Sequence, residues 1–133
     1  MLYFLDTNII IYSLKDSFPE IKKHFSDTPF QSIAIPSTVM AEIEYGAQKS
    51  FNYASTISKY NKLTDLFEKV SFTNDAAKIY GSIRCYLEKL GTPIGNNDLI
   101  IAATVLSQNG ILVTHNTKEF SRVPGLRIED WTM

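Results

Sequence analysis

Short apolar runs alternate with stretches of helical period along this chain. Leu2 to Leu5 is an unbroken apolar run ending at an acid and reads as a buried strand. Asn8 to Leu14 reads as a helix, and Ile21 to Phe25 as another. Ser32 to Ile35 reads as a second strand, stopped by Pro36. Ser37 is placed to cap a helix from Thr38 to Gln48. Ile57, Tyr60 and Leu63 recur at helical spacing within Tyr53 to Phe67. Lys69 to Phe72 is a candidate third strand. From Asp75 to Leu90, the residues Ala76, Ile79, Tyr80, Ile83 and Leu87 share one face, and Gly91 ends that helix. Asn97 to Ser107 is apolar almost all round, so it predicts a buried helix. Ile111 to Thr114 and Leu126 to Ile128 complete the strands. Strands alternating with helices predict an α/β fold on a mostly parallel sheet, with its site beyond the carboxyl ends of the strands.

With 133 residues, 44% hydrophobic and 20% charged, the chain fits one folded domain over 1–133 and not a disordered segment. The balance of 13 basic against 14 acidic residues excludes a strongly basic nucleic-acid arm but not a local site. The lone Cys85 excludes an intrachain disulfide and a cysteine metal cluster. MLYFLDTN lacks the basic start of a signal peptide, and no apolar run approaches the ~18 residues of a membrane span. The expectation is a soluble cytoplasmic protein.

Acids stand where the site is expected. Asp6 follows the first apolar run, Glu42 lies one turn into the helix after the second, and Asp98 begins the buried helix. Each has an ordinary explanation alone: an N-cap, a solvated surface acid, a first-turn acid facing the helix dipole. Together they place three carboxylates at one sheet edge with no arginine or lysine in their motifs. Such a cluster is self-repelling unless protonated or bridged by a cation. Two histidines, His24 and His115, and one cysteine do not make a zinc site, so an all-oxygen Mg²⁺ or Mn²⁺ site is expected. Sites of that kind activate water and hold phosphate oxygens during in-line displacement. Asn116 or Glu119, after the strand ending at Thr114, supplies a further oxygen. Thr7, Asn8, Asn97 and Thr114 are supporting hydrogen bonders or plain helix caps. Removing Asp6, Glu42, Asp98 and Glu119 leaves 13 basic against 10 acidic residues, so the surround is mildly basic, with Lys49, Lys118 and Arg122 nearest in sequence. Phe51, Tyr53, Tyr80 and Tyr86 read mostly as core or interface residues.

The strings LDTNIIIY, AEIEYG, IGNNDLIIAA and LVTHNTKEFSRVPGLRIEDW resemble the PIN-domain ribonucleases, most of all the VapC toxins of bacterial toxin–antitoxin pairs. The resemblance runs from Leu2 to Trp131. It implies a three-layer α/β/α fold and a metal-dependent endoribonuclease acting on cellular RNA, often tRNA or rRNA. It also implies a homodimer and a cognate antitoxin that enters the active-site groove. The family's catalytic acids correspond to Asp6, Glu42 and Asp98. The position of its fourth acid holds Asn116 here, and Glu119 stands in as a replacement. A phospho-accepting receiver domain is the rival of similar size. It needs paired acids after the first strand and a lysine after the last, and neither is present. An inert interaction module would have lost a core acid, and all three remain.

Overall fold

The structure is a computed structural model that describes all 133 residues. Strands β1 (Tyr3–Leu5), β2 (Ile33–Pro36), β3 (Glu68–Val70), β4 (Ile111–Val113) and β5 (Arg127–Glu129) form one sheet. All four strand pairings are parallel, in the order β3-β2-β1-β4-β5. Helices α1 (Thr7–Leu14), α2 (Pro19–Asp27), α3 (Ser37–Gln48), α4 (Tyr53–Thr64), α5 (Asn74–Lys89), α6 (Asn96–Ser107) and α7 (Thr117–Phe120) make it a three-layer α/β/α architecture. Parallel strands need crossovers, which is why β1 and β2, buried on both faces, are apolar runs without alternation.

One cluster of 25 buried residues joins the layers. Phe4 and Leu5 pair with Leu112 and Val113 at its centre. Gly110 opens β4 because a Cβ there would lie 2.6 Å from the Phe4 ring and 3.0 Å from the Leu2 carbonyl oxygen. From α6 come Leu99, Ile101, Ala102, Ala103 and Val105, as expected of a helix apolar all round. Trp131, 1% exposed, closes the chain against Tyr3 and Phe25.

The strand order reverses at β1. From there the chain builds outward to β2 and β3, then returns to place β4 and β5 on the other side. Crevices beyond the carboxyl ends of strands at such a reversal are where ligands bind in open parallel sheets. Here that crevice lies between the ends of β1 and β4.

Several boundaries differ from the sequence expectation. Pro36 is the last residue of β2 and the N-cap of α3, so Ser37 begins the helix and makes no cap bond. Proline's φ suits an edge of the helix, and its missing N–H costs nothing there. Helix α4 stops at Thr64, not Phe67, because the chain turns for Phe67 to enter the core. The third strand is Glu68–Val70, with Phe72 outside it. A short 3₁₀ turn at Phe30–Ser32 and helix α7 carry too little periodicity to be seen in sequence. Helix α6 does not follow a strand: a turn and loop from Leu90 to Gly95 joins it directly to α5. It leads into the parallel strand β4 instead, so it runs back along the sheet and sets its N-terminus at the carboxyl edge. Phe51, Tyr53 and Tyr86 are exposed rather than core.

Candidate active site

Asp6 leaves β1 in extended geometry and caps α1. Its Oδ1 accepts from the Thr7 N–H at 2.8 Å, and its Oδ2 from the Thr114 hydroxyl at 2.7 Å. The ordinary cap reading is therefore correct, and the same residue also links β1 to the end of β4. Asp6 is 6% exposed. Burial pushes its carboxyl above the usual 3.8, the two hydrogen bonds oppose that, and Glu42 adds to the rise.

Glu42 is half-buried in the second turn of α3 and accepts from the Thr7 hydroxyl at 2.7 Å. Thr7 thus spans Asp6 and Glu42. Asp98 is the third residue of α6, within its positive N-terminal turn. Its pKa is raised from 3.8 to about 7, first by burial, then by the charges of Asp6, Glu119 and Glu42, with a hydrogen bond to Glu119 favouring the neutral acid. Glu119 is half-buried on α7. All four acids picked out in the sequence therefore share one electrostatic field.

The ion pairs are Lys22–Asp16, Arg84–Glu88 and His115–Asp130, and none reaches these acids. As the side chains stand, no three His, Cys, Asp or Glu groups close on one point as ligands. Asp6 and Glu42 are engaged by threonine hydroxyls. The donor set nonetheless fits a hard divalent cation: it is oxygen-only, carries several negative charges and has no cationic partner, and burial with the charges of its neighbours raises Asp98 to about 7.

The other predicted residues divide. Thr114 is fully buried, and besides serving Asp6 it accepts from the Asn116 N–H at 3.0 Å. Asn116 caps α7 without a side-chain cap bond. Asn97 lines the groove beside Glu42, whereas the buried Oδ1 of Asn8 has no partner. His115 turns away to Asp130 at 3.0 Å, between the rings of Tyr12 and Phe18. Arg122 donates to the Pro93 carbonyl at 3.1 Å and so ties down the loop before α6.

A groove of about 650 Å³ runs from Glu42 along α3, lined by Thr7, Glu42, Tyr45, Gly46, Lys49 and Asn97 among others. The sequence reading missed Tyr45 and Gly46 as groove residues. Their spacing from Glu42, three and four residues on, was the available signal, since that spacing shares a helix face.

A family model described as PIN domain matches residues 3–126. Ribonuclease VapC2 of Rickettsia felis is 39% identical over 134 residues, covering 98% of both chains. The tRNA(fMet)-specific endonuclease VapC of Salmonella typhimurium is 34% identical over 129 residues, covering 97% of both. The solved structure of VapBC-1 from nontypeable Haemophilus influenzae superposes with a TM-score of 0.92 at 40% identity, covering 100% of each chain.

Proposed function

The chain belongs to the PIN-domain family, among its VapC-type ribonucleases, and from that premise we propose that Asp6, Glu42, Asp98 and Glu119 form the active site of an RNA-hydrolysing toxin. The observation that carries this is four acids without a cationic partner, sharing one field at the reversal of strand order.

Asp6, Glu42 and Asp98 would hold a divalent cation, Mg²⁺ or Mn²⁺. When bound, such an ion supplies Lewis acidity and charge neutralisation at a phosphodiester. Thr7 and Thr114 fix the carboxylates, each hydroxyl donating to an acid and so holding its orientation. Glu119, the neighbour of Asp98, would accept a proton from the attacking water. Asn116, at the family's fourth-acid position, keeps the α7 turn in place through its backbone, and Asn97 lines the groove beside Glu42.

The substrate is cellular RNA, tRNA or rRNA, met in the cytoplasm, and the chain works as one unit over 1–133. No helix is long and apolar enough to cross a membrane. Its partners are a cognate antitoxin and a second copy of itself. The solved toxin–antitoxin assemblies that share the fold support the antitoxin. The exposed Phe51, Tyr53 and Tyr86 offer apolar surface for a homodimer.

End-labelling of cleaved RNA tests the reading. Water as nucleophile leaves a 5′-phosphate and a 3′-hydroxyl, and Asp6→Asn abolishes cleavage. A 2′,3′-cyclic phosphate would mean that the RNA's own hydroxyl attacked, and the proposed chemistry would be wrong. Expression alone arrests bacterial growth, and co-expression of the antitoxin restores it.

A further inference from the structure

Beyond Glu42, the same face of α3 presents Tyr45, Gly46 and Lys49 along the groove. Tyr45 is 65% exposed, more than any other tyrosine of the chain. The Lys49 ammonium lies 4.6 Å from the centre of its ring. Gly46 sits in the interior of the helix, where glycine costs about 0.5–1 kcal/mol relative to alanine. Nothing in the fold calls for it: a Cβ at Gly46 would meet no atom within 4 Å, and its φ is not positive. An exposed ring, a cation over it and an unfilled notch between them, next to the acids, is a surface shaped for something outside the chain.

We propose that Tyr45, Gly46 and Lys49 form a nucleotide subsite for single-stranded RNA, next to the scissile phosphate. The base stacks on Tyr45, Gly46 leaves room for the ribose, and Lys49 meets the adjoining phosphate. The helical rise puts Lys49 about 10 Å along α3 from Glu42, beyond the reacting phosphate rather than at it. A tyrosine and a lysine suit this ligand in particular: aromatic faces accept any base, and ammonium groups meet phosphate as point charges. The groove also explains how RNA approaches an acid cluster that would otherwise repel it, because Lys49 has no carboxylate partner. This inference rests on the ribonuclease reading and names how its substrate is held.

The test is the affinity of a fluorescent single-stranded oligoribonucleotide in EDTA, where cleavage is silent, with rates measured separately in Mn²⁺. Tyr45→Ala should weaken binding roughly tenfold to a hundredfold, the worth of one stacked base, while Tyr45→Phe stays within about twofold of the parent. In cleavage the loss should fall mainly on KM, with kcat largely kept. Lys49→Gln should lower the salt dependence of log Kd by about 0.7, one phosphate contact on a single strand. Both side chains are exposed, so thermal unfolding of the variants should match the parent. Equal RNA affinity for the parent and Tyr45→Ala overturns the subsite, as does failure of the parent to bind any single-stranded RNA. If Tyr45→Ala spares RNA binding and weakens only the complex with the antitoxin, the groove belongs to the protein partner and the proposal fails. Intact RNA binding without cleavage by the parent would instead overturn the ribonuclease reading and leave the subsite standing.

Discussion

Asp98→Asn should make the metal-free protein more stable at neutral pH, although it removes a residue of the proposed active site. The carboxyl of Asp98 titrates at about 7 in the folded chain, against 3.8 for an ordinary aspartate. Between those values the folded state holds a proton that the unfolded state has lost, so stability falls as pH rises through that window. Below it the residue costs nothing, and above about 7 the full cost is present. At 1.36 kcal/mol per pH unit the displacement is worth at most about 4 kcal/mol, and partial exposure of Asp98 cuts that to about 2. Asparagine is neutral at every pH and keeps an N–H to donate towards Glu119. For a chain of this length, 2 kcal/mol corresponds to roughly 6–10 °C in Tm. Thermal unfolding in EDTA at intervals from pH 4.5 to 8.5 is the assay. The Tm gap between variant and parent should be near zero at the acid end, open through pH 5–7 and level off above. The same titration repeated with Mn²⁺ should raise the Tm of the parent and barely move the variant. A gap independent of pH, or a variant less stable than the parent at pH 8, would refute the assignment of that charge cost to Asp98.

Thr114→Val should cost about 1–3 kcal/mol, because Oδ2 of the buried Asp6 loses its donor, and denaturant unfolding reads it. Glu119→Gln should reduce RNA cleavage less than Asp6→Asn does. Equal and complete loss in both would make Glu119 a primary ligand. Gly46→Ala should raise stability by about 0.5–1 kcal/mol, since its Cβ meets nothing, and a measured loss would show a conformational need that the helix does not reveal. Mn²⁺ should raise the Tm of the free chain more than that of its antitoxin complex, because a partner's guanidinium and a cation relieve the same carboxylates; equal shifts would place the partner elsewhere.

Much of this was legible in the sequence because buried parallel strands and a buried helix have no polar face to blur them. Leu2 to Leu5 and Asn97 to Ser107 were readable for that reason, and Asp6 and Asp98 were found as the acids attached to them. Glu42 required the further step of counting one helical turn. What stayed hidden lacks a period. Helix α7 is a single turn, so Glu119 had only its distance from Thr114 to recommend it. Helix α6 breaks the alternation of strand and helix, because no strand stands between it and α5. Its acid reaches the right edge all the same, because a helix that leads into a parallel strand begins at the carboxyl end. The expectation of Phe51, Tyr53 and Tyr86 as core or interface failed for core: α4 packs through Ile57, Tyr60 and Leu63, leaving Tyr53 in its first turn and Phe51 before it exposed, and α5 buries Ala76, Ile83 and Leu87 and leaves Tyr86 exposed. Exposure of an aromatic is a property of the assembled layers, and composition does not carry it.

Parallel pairing brings the ends of β1 and β4 side by side, and the Thr114 hydroxyl joins them through Asp6. Any function at that edge therefore inherits a rigid floor, fixed by the 0% exposed Leu5 and Val113 on the two strands. The acids themselves come from four different elements: the end of β1, the second turn of α3, the first turn of α6 and the single turn of α7. Their clustered charge opposes folding, since burial and mutual repulsion raise Asp6 and Asp98 above an ordinary aspartate. Buried acids that raise one another in this way cluster at functional sites, which supports the active site proposed above. The threonines are what make it tolerable. A lysine or arginine in place of Thr7 or Thr114 would neutralise the charge more completely and would also occupy the position proposed for a cation. Neutral donors hold the carboxylates in place and leave their charge for a ligand.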